Sequence, residues 1–171
     1  MHLVKLLLSI ILSFAWPSPI VGAAEPTWQE QQNLPSWALV ILEEKGFAST
    51  YTLSNRINPY FLHGDFNGDG KLDVAVMIVK KDSGHHGIAI VHAGLSTVSV
   101  VGAGQSIGSG GNDFSWLDAW SLSARQPVQP GASGKKPPVL KGDALLVQKL
   151  EAASALIYWD GMAYRWYQQG D

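Results

Sequence analysis

The chain has 171 residues, 46% of them hydrophobic, with 18 Gly, 9 Pro, 7 Trp, no Cys and a formal net charge of −2. That size supports one domain with its own core. The near-neutral charge excludes the basic footprint of a nucleic-acid binder and a strongly acidic tail, and the lack of cysteine excludes both disulfides and a lipid-modified N-terminal thiol.

In chain order, His2 and Lys5 precede the apolar run 6-LLLSIILSFAW-16, and the small residues 21-VGAA-24 follow. This is the layout of a secretory signal peptide over residues 1–24, with cleavage expected after Ala23 or Ala24. The run is short for a bilayer span, which needs roughly 20 residues, and Pro17 and Pro19 close it. Loss of Lys5 with the leader takes the formal charge from −2 to −3. The expected product, residues 25–171, is a single exported domain, periplasmic or secreted and monomeric.

The stretch 33-NLPSWALVILEEKGF-47 reads as one amphipathic helix, because Leu34, Ala38, Ile41 and Leu42 form a single stripe. Asn33 is placed to cap it, Pro35 sits in its first turn, and Gly46 stops it. Strands are expected over 51–53, 57–62, 72–80, 88–93, 97–102, 117–122, 143–150 and 154–169, joined by short turns. The last is interrupted by Asp160-Gly161, a type I′ hairpin signal. Residues 125–139 hold four prolines and read as a loop. The expected fold is α+β, with one N-terminal helix followed by antiparallel hairpins forming a sheet.

The most specific local pattern is 64-GDFNGDGKLDVAVMIV-79. Asp65, Asn67, Asp69 and Asp73 occupy positions 1, 3, 5 and 9 of D-x-N-x-D-G-x-x-D, with the Lys71 main-chain carbonyl at position 7. Gly70 allows the sharp turn that brings these oxygens around one centre. Hard oxygen ligands at these offsets suit Ca²⁺, whereas zinc favours sulfur and imidazole. The cation would also neutralise carboxylates that otherwise repel one another. Position 12 is Val76 rather than glutamate, and a β-branched run follows. An EF-hand and a dockerin are therefore both excluded.

An aspartate loop running straight into a strand resembles the FG-GAP/VCBS repeat, the calcium-binding hairpin of integrin-type propeller blades. The resemblance covers residues 64–79 and implies Asp65, Asn67, Asp69 and Asp73 as side-chain ligands and Lys71 as a main-chain ligand of Ca²⁺ within 65–73. A propeller needs several four-stranded blades, and only one copy of the motif is present. The chain as a whole resembles small exported proteins carrying a single motif of this type.

Other constellations carry less. The segment 104-GQSIG-108 matches a G-x-S-x-G nucleophile elbow, but no helix start follows it, and all five histidines precede Ser106. His85 and His86 read as surface turn residues. Trp116, Asp118 and Trp120 alternate, so on a strand all three would share one face and could meet a glycan or a protein partner. Packing of the two indoles in the core, with Asp118 capping a turn, is the simpler reading.

These observations point to an exported, non-catalytic calcium-binding domain, a binding or interaction module stapled by one Ca²⁺ ion. Two alternatives stand beside it. One is a small exported hydrolase acting on glycan or peptidoglycan through carboxylates such as Asp113 and Asp118. The other is a glycan-binding module using Trp116 and Trp120.

Overall fold

The computed structural model describes residues 34–132 and 134–170. The expected leader and the Asn33 cap lie outside them. The described chain consists of antiparallel β-sheets with one α-helix, α1 (Ser36–Glu44). Pro35 takes the N-cap position with no side-chain cap, and Gly46 (φ 59°) ends the helical run before a 3₁₀ turn at Phe47–Ser49.

There are two sheets rather than one. The first holds β1 (Tyr51–Leu53), β2 (Phe61–Gly64), β3 (Asp73–Lys80), β4 (His86–His92) and β5 (Thr97–Gly102). β3 and β4 pair over Val74↔Val91 to Val79↔His86, and β4 and β5 over Gly87↔Gly102 to His92↔Thr97. β1 and β2 share the other edge of β3, β1 at residues 78–80 and β2 at 73–76. The second sheet is a meander of β6 (Ala119–Ser123), β7 (Ala144–Lys149), β8 (Ala153–Trp159) and β9 (Tyr164–Gly170).

Side-chain alternation explains the layering. Along β3, Val74, Val76 and Ile78 face α1, where they pack with Ala38, Ile41, Leu42 and Phe47. Ala75 and Met77 point the other way, into a core shared with Ile88, Ile90, Val101, Trp120, Leu145, Val147, Ala155 and Ile157. β3 is buried on both faces, which is why it reads as a continuous apolar run rather than an alternating one. The outer face of the second sheet is covered by the proline-rich segment. Val128 packs beside Leu140 and Leu156, and the Tyr167 hydroxyl accepts from Gly131 N (2.9 Å) and donates to the Lys135 carbonyl (3.1 Å). Among the described residues no helix is long and apolar enough to cross a membrane.

The β8–β9 hairpin forms as expected, with a different turn. Trp159 pairs with Tyr164, so the loop has four residues, 160–163, instead of the two of a type I′ turn. The Asp160 side chain is the reason. Its Oδ1 accepts Met162 N (2.7 Å) and Ala163 N (2.9 Å), and its Oδ2 accepts Arg165 Nε (2.6 Å). The Arg165 contact, then the two amides, hold the Asp160 carboxyl at about 2, below its ordinary 3.8. A carboxyl lowered on folding stabilises above its unfolded value and loses that effect as the pH falls through the folded one. The protection of the Met162 and Ala163 amides, taken relative to intrinsic exchange at each pH, is therefore expected to hold at pH 5 and to fall towards pH 2. In Asp160→Asn this acid-dependent loss of protection should vanish.

Candidate functional site

The aspartate loop leaves β2 at Gly64 and returns as β3 at Asp73. Asp65 organises it, with Oδ1 accepting Gly68 N (2.8 Å) and Asp69 N (3.0 Å) and Oδ2 accepting Gly70 N (2.9 Å). Asn67 Oδ1 accepts Asp69 N, Asn67 Nδ2 donates to Asp69 Oδ2, and Asp69 Oδ1 accepts Lys71 N. Gly70 sits at φ 84°, the left-handed turn expected of it. Phe66 points inward and is fully buried, anchoring the exposed rim to the core between the sheets.

Asp73 belongs to a different set of contacts. It is fully buried, and its Oδ2 accepts Phe66 N (3.2 Å) and faces His92 Nδ1 (3.0 Å), while Oδ1 accepts Ala93 N (3.0 Å). Among the described residues no group of three or more His, Asp or Glu side chains converges as a metal site. Asp65, Asn67 and Asp69 nevertheless fit a hard cation. An ionised carboxylate has about four acceptor sites. Asp65 Oδ2 takes one N–H, and Asp69 Oδ2 takes only the Asn67 amide. Oxygen capacity therefore remains on the exposed side of the loop, whereas Asp73 is held by the contacts at its base.

Strand register places Asp73 and His92 side by side. Val74 pairs with Val91, so Asp73 and His92 are the next neighbours across β3 and β4. His92 in turn pairs with Thr97, and Ser99 lies diagonal to it. All three side chains project from the sheet face that carries Ala75, Met77, Ile88 and Ile90. His92 is buried, and its Nε2 lies 3.3 Å from Ser99 Oγ and 3.4 Å from the Tyr164 hydroxyl. With Nδ1–H donated to the Asp73 carboxylate, Nε2 is the acceptor of this pair. The Tyr164 ring stacks on His92 at 6.0 Å and 11°, and Trp159 closes the group. Burial first, then the charges of Asp73 and Asp65, push the Tyr164 hydroxyl well above its ordinary range, so it remains an O–H donor.

Ser99 and Tyr164 open onto a cleft of about 470 Å³ between β5 and the β8–β9 hairpin. Val98, Val100, Gln105 and Ile107 line one side, and Trp159, Met162 and Ala163 the other. β5 is an edge strand there. Gly102 and Gln105 exchange N–H···O bonds in both directions while Ala103 N bonds the His86 carbonyl. By the period of two, the N–H groups of Val98 and Val100 therefore point away from β4, towards the open edge.

The other expected constellations are dispersed. β6 begins at Ala119, so Trp116 precedes the strand and does not share a face with Trp120. Trp120 is buried, and its Nε1 donates to the Pro59 carbonyl at 2.7 Å. It is therefore closed to a sugar ring. Asp118 accepts Leu150 N at 3.1 Å, a turn cap. Trp116 is half-buried, donates to the Gly110 carbonyl and meets Trp166 edge-on. Asp113 accepts His86 N, Ser115 N and Ser115 Oγ. Residues 104–112 are a packing bed rather than a nucleophile elbow. A Cβ on Gly108 or Gly110 would lie 2.5 Å from Trp166 atoms. His85 and His86 are half-buried rather than surface residues, and each leaves Nδ1 buried without a hydrogen-bond partner.

Sequence reasoning misses His92 as the partner of Asp73 and Ser99 as the partner of His92. The available signal is parity, since His92 continues the Ile88–Ile90 face of β4 and Ser99 shares the Val101 face of β5. No protein-family model matches the chain, and no curated protein or solved structure does.

Proposed function

We propose that this chain is an exported binding module stapled by one Ca²⁺ ion, held by Asp65, Asn67 and Asp69 with the Lys71 carbonyl as main-chain ligand. The observation that supports it is the exposed loop itself, in which three oxygen-bearing side chains are already drawn together and keep unused acceptor capacity. The third acid of the motif, Asp73, lies buried at the base of the loop, where Phe66 N, His92 Nδ1 and Ala93 N hold it. With so few carboxylates and no bidentate twelfth ligand, affinity is modest, with Kd roughly 10⁻⁵–10⁻³ M. That range suits a compartment where calcium is abundant. The aromatic-walled cleft beside β5 is the surface on which this module meets its ligand.

The ion reading is tested by melting. Calcium at about 100 times its Kd adds about 2.7 kcal/mol, which for a domain of this size raises Tm by about 5–10 °C over a chelated sample. Asp69→Ala removes an exposed ligand together with two exposed loop hydrogen bonds, so it should abolish the calcium-dependent rise while lowering the chelated Tm only slightly. Equal melting temperatures in both buffers would sink the staple.

A further inference from the structure

We infer that Asp73, His92, Ser99 and Tyr164 form an acyl-transfer centre, with Ser99 as nucleophile towards a carboxylic ester bound in the adjoining cleft. This goes beyond the ion loop and stands without it.

The geometry supplies each part that such chemistry needs. A nucleophile must hydrogen-bond to its base and the base to an orienting group. Ser99 Oγ is 3.3 Å from His92 Nε2, and His92 Nδ1 is 3.0 Å from Asp73 Oδ2. The orienter is rigid, because Phe66 N and Ala93 N fix both Asp73 oxygens and the acid is fully buried. The base is shielded from water by the Tyr164 and Trp159 rings. The nucleophile, by contrast, is half-buried and lines the cleft. The arrangement thus has a dry end and an open end, with the serine at the open one.

A tetrahedral oxyanion also needs donors. The Tyr164 hydroxyl lies 3.4 Å from the same Nε2 that faces Ser99, and it lines the same cleft. The outward N–H of Val100, the residue after the nucleophile, is a second donor at the strand edge. The cleft holds a small acyl group, with Val98, Val100, Val101 and Ile107 as its apolar wall and Gln105 and Ser106 as its polar one.

The reaction balances with water as the only co-reactant. Ser99 Oγ attacks the ester carbonyl carbon, and its proton passes to His92 Nε2. Collapse of the adduct breaks the bond to the alkoxy oxygen, which takes that proton and leaves as the alcohol. Water then gives a proton to His92 Nε2 and attacks the acyl carbon, and collapse breaks the bond to Ser99 Oγ, which takes that proton back from His92 as the carboxylic acid leaves. Asp73 is a positioning residue throughout, holding the ring so that Nε2 faces the serine.

The test is covalent labelling of the intact protein with a fluorophosphonate, with the adduct mapped by peptide mass spectrometry, alongside hydrolysis of p-nitrophenyl acetate and butyrate. The expected result is a single adduct on Ser99, with equal yield in calcium and in chelator. Ester turnover should fall by about 10³-fold in Ser99→Ala and by about 10²-fold in Tyr164→Phe. No adduct on Ser99, or equal turnover by wild type and Ser99→Ala, would overturn the proposal and leave the relay a purely structural network. The adduct map needs no variant, so it decides the matter even where a mutant folds poorly. Labelling without a calcium-dependent Tm would reject the staple alone, and the converse would reject the acyl-transfer centre alone.

Discussion

Asp73→Ala is expected to destabilise the protein by about 3–5 kcal/mol, because it strips the partner from a buried histidine and orphans two backbone amides at once. The carboxylate is fully buried and receives Phe66 N, Ala93 N and His92 Nδ1. Those donors belong to two separate pieces of chain: the aspartate loop, and the end of β4 with the residue that follows it. Alanine leaves all three donors without their acceptor. At about 2–4 °C per kcal/mol for a domain of this size, Tm should fall by about 6–20 °C. Asp73→Asn preserves the shape but turns an amide N–H₂ towards at least one existing donor, so it recovers only part of the loss. Urea unfolding in chelator isolates the effect from any bound ion. A change below about 1 kcal/mol, the size of one ordinary hydrogen bond, would show that the acid is not what holds these segments together.

Gly68→Ala and Gly142→Ala are each expected to cost about 3 kcal/mol, through a clash between backbones rather than lost burial. Gly68 sits at φ 79°, and a Cβ there would lie 2.5 Å from the Lys141 carbonyl oxygen. A Cβ on Gly142 would lie 2.1 Å from the Asp65 carbonyl oxygen and 2.6 Å from Gly68 N. Neither neighbour is a flexible side chain that could swing aside. The left-handed φ at Gly68 adds about 1 kcal/mol of strain for any other residue, and overpacking typically adds about 1–3 kcal/mol. The contact matters because it joins the two sheets. Asp65 N donates to Asp143 Oδ2, Asp143 N donates to the Asp65 carbonyl, and Asp143 Oδ1 accepts Arg125 N. Denaturant midpoints should fall for both variants, whereas Gly70→Ala, with open space around its Cβ, should show the conformational term alone.

These two sites show where the sequence was informative and where it was not. The stripe of Leu34, Ala38, Ile41 and Leu42 was legible because helix periodicity is local, and all four are buried as expected. The strands β3, β4 and β5 were legible for the same reason, each being an apolar run bounded by turn residues. The split into two sheets was not. The Gly-rich stretch 104–112 announces a break, but nothing in it says that the following strands stack on the first sheet instead of extending it. Trp116 and Trp120 misled because a strand was assumed to begin before Ala119. Asp73 was ambiguous in a more basic way. The spacing that assigns it to a cation loop is a property of residues 65–73 alone, while its partners His92 and Ala93 are set by pairing with β4, a strand that begins only at His86.

The connection between the sheets has a consequence for how the chain assembles. Within each sheet, successive strands are chain neighbours, so β3–β4–β5 and β6–β7–β8–β9 can each zip from their turns with little loop-closure entropy. The bonds between Asp65 and Asp143 span 78 positions, and such contacts can form only when the two finished sheets meet. Folding should therefore resemble the shutting of a book whose two covers are bound separately. The aspartate loop is the clasp on one side, and the cleft beside Ser99 is the edge at which the pages stay parted.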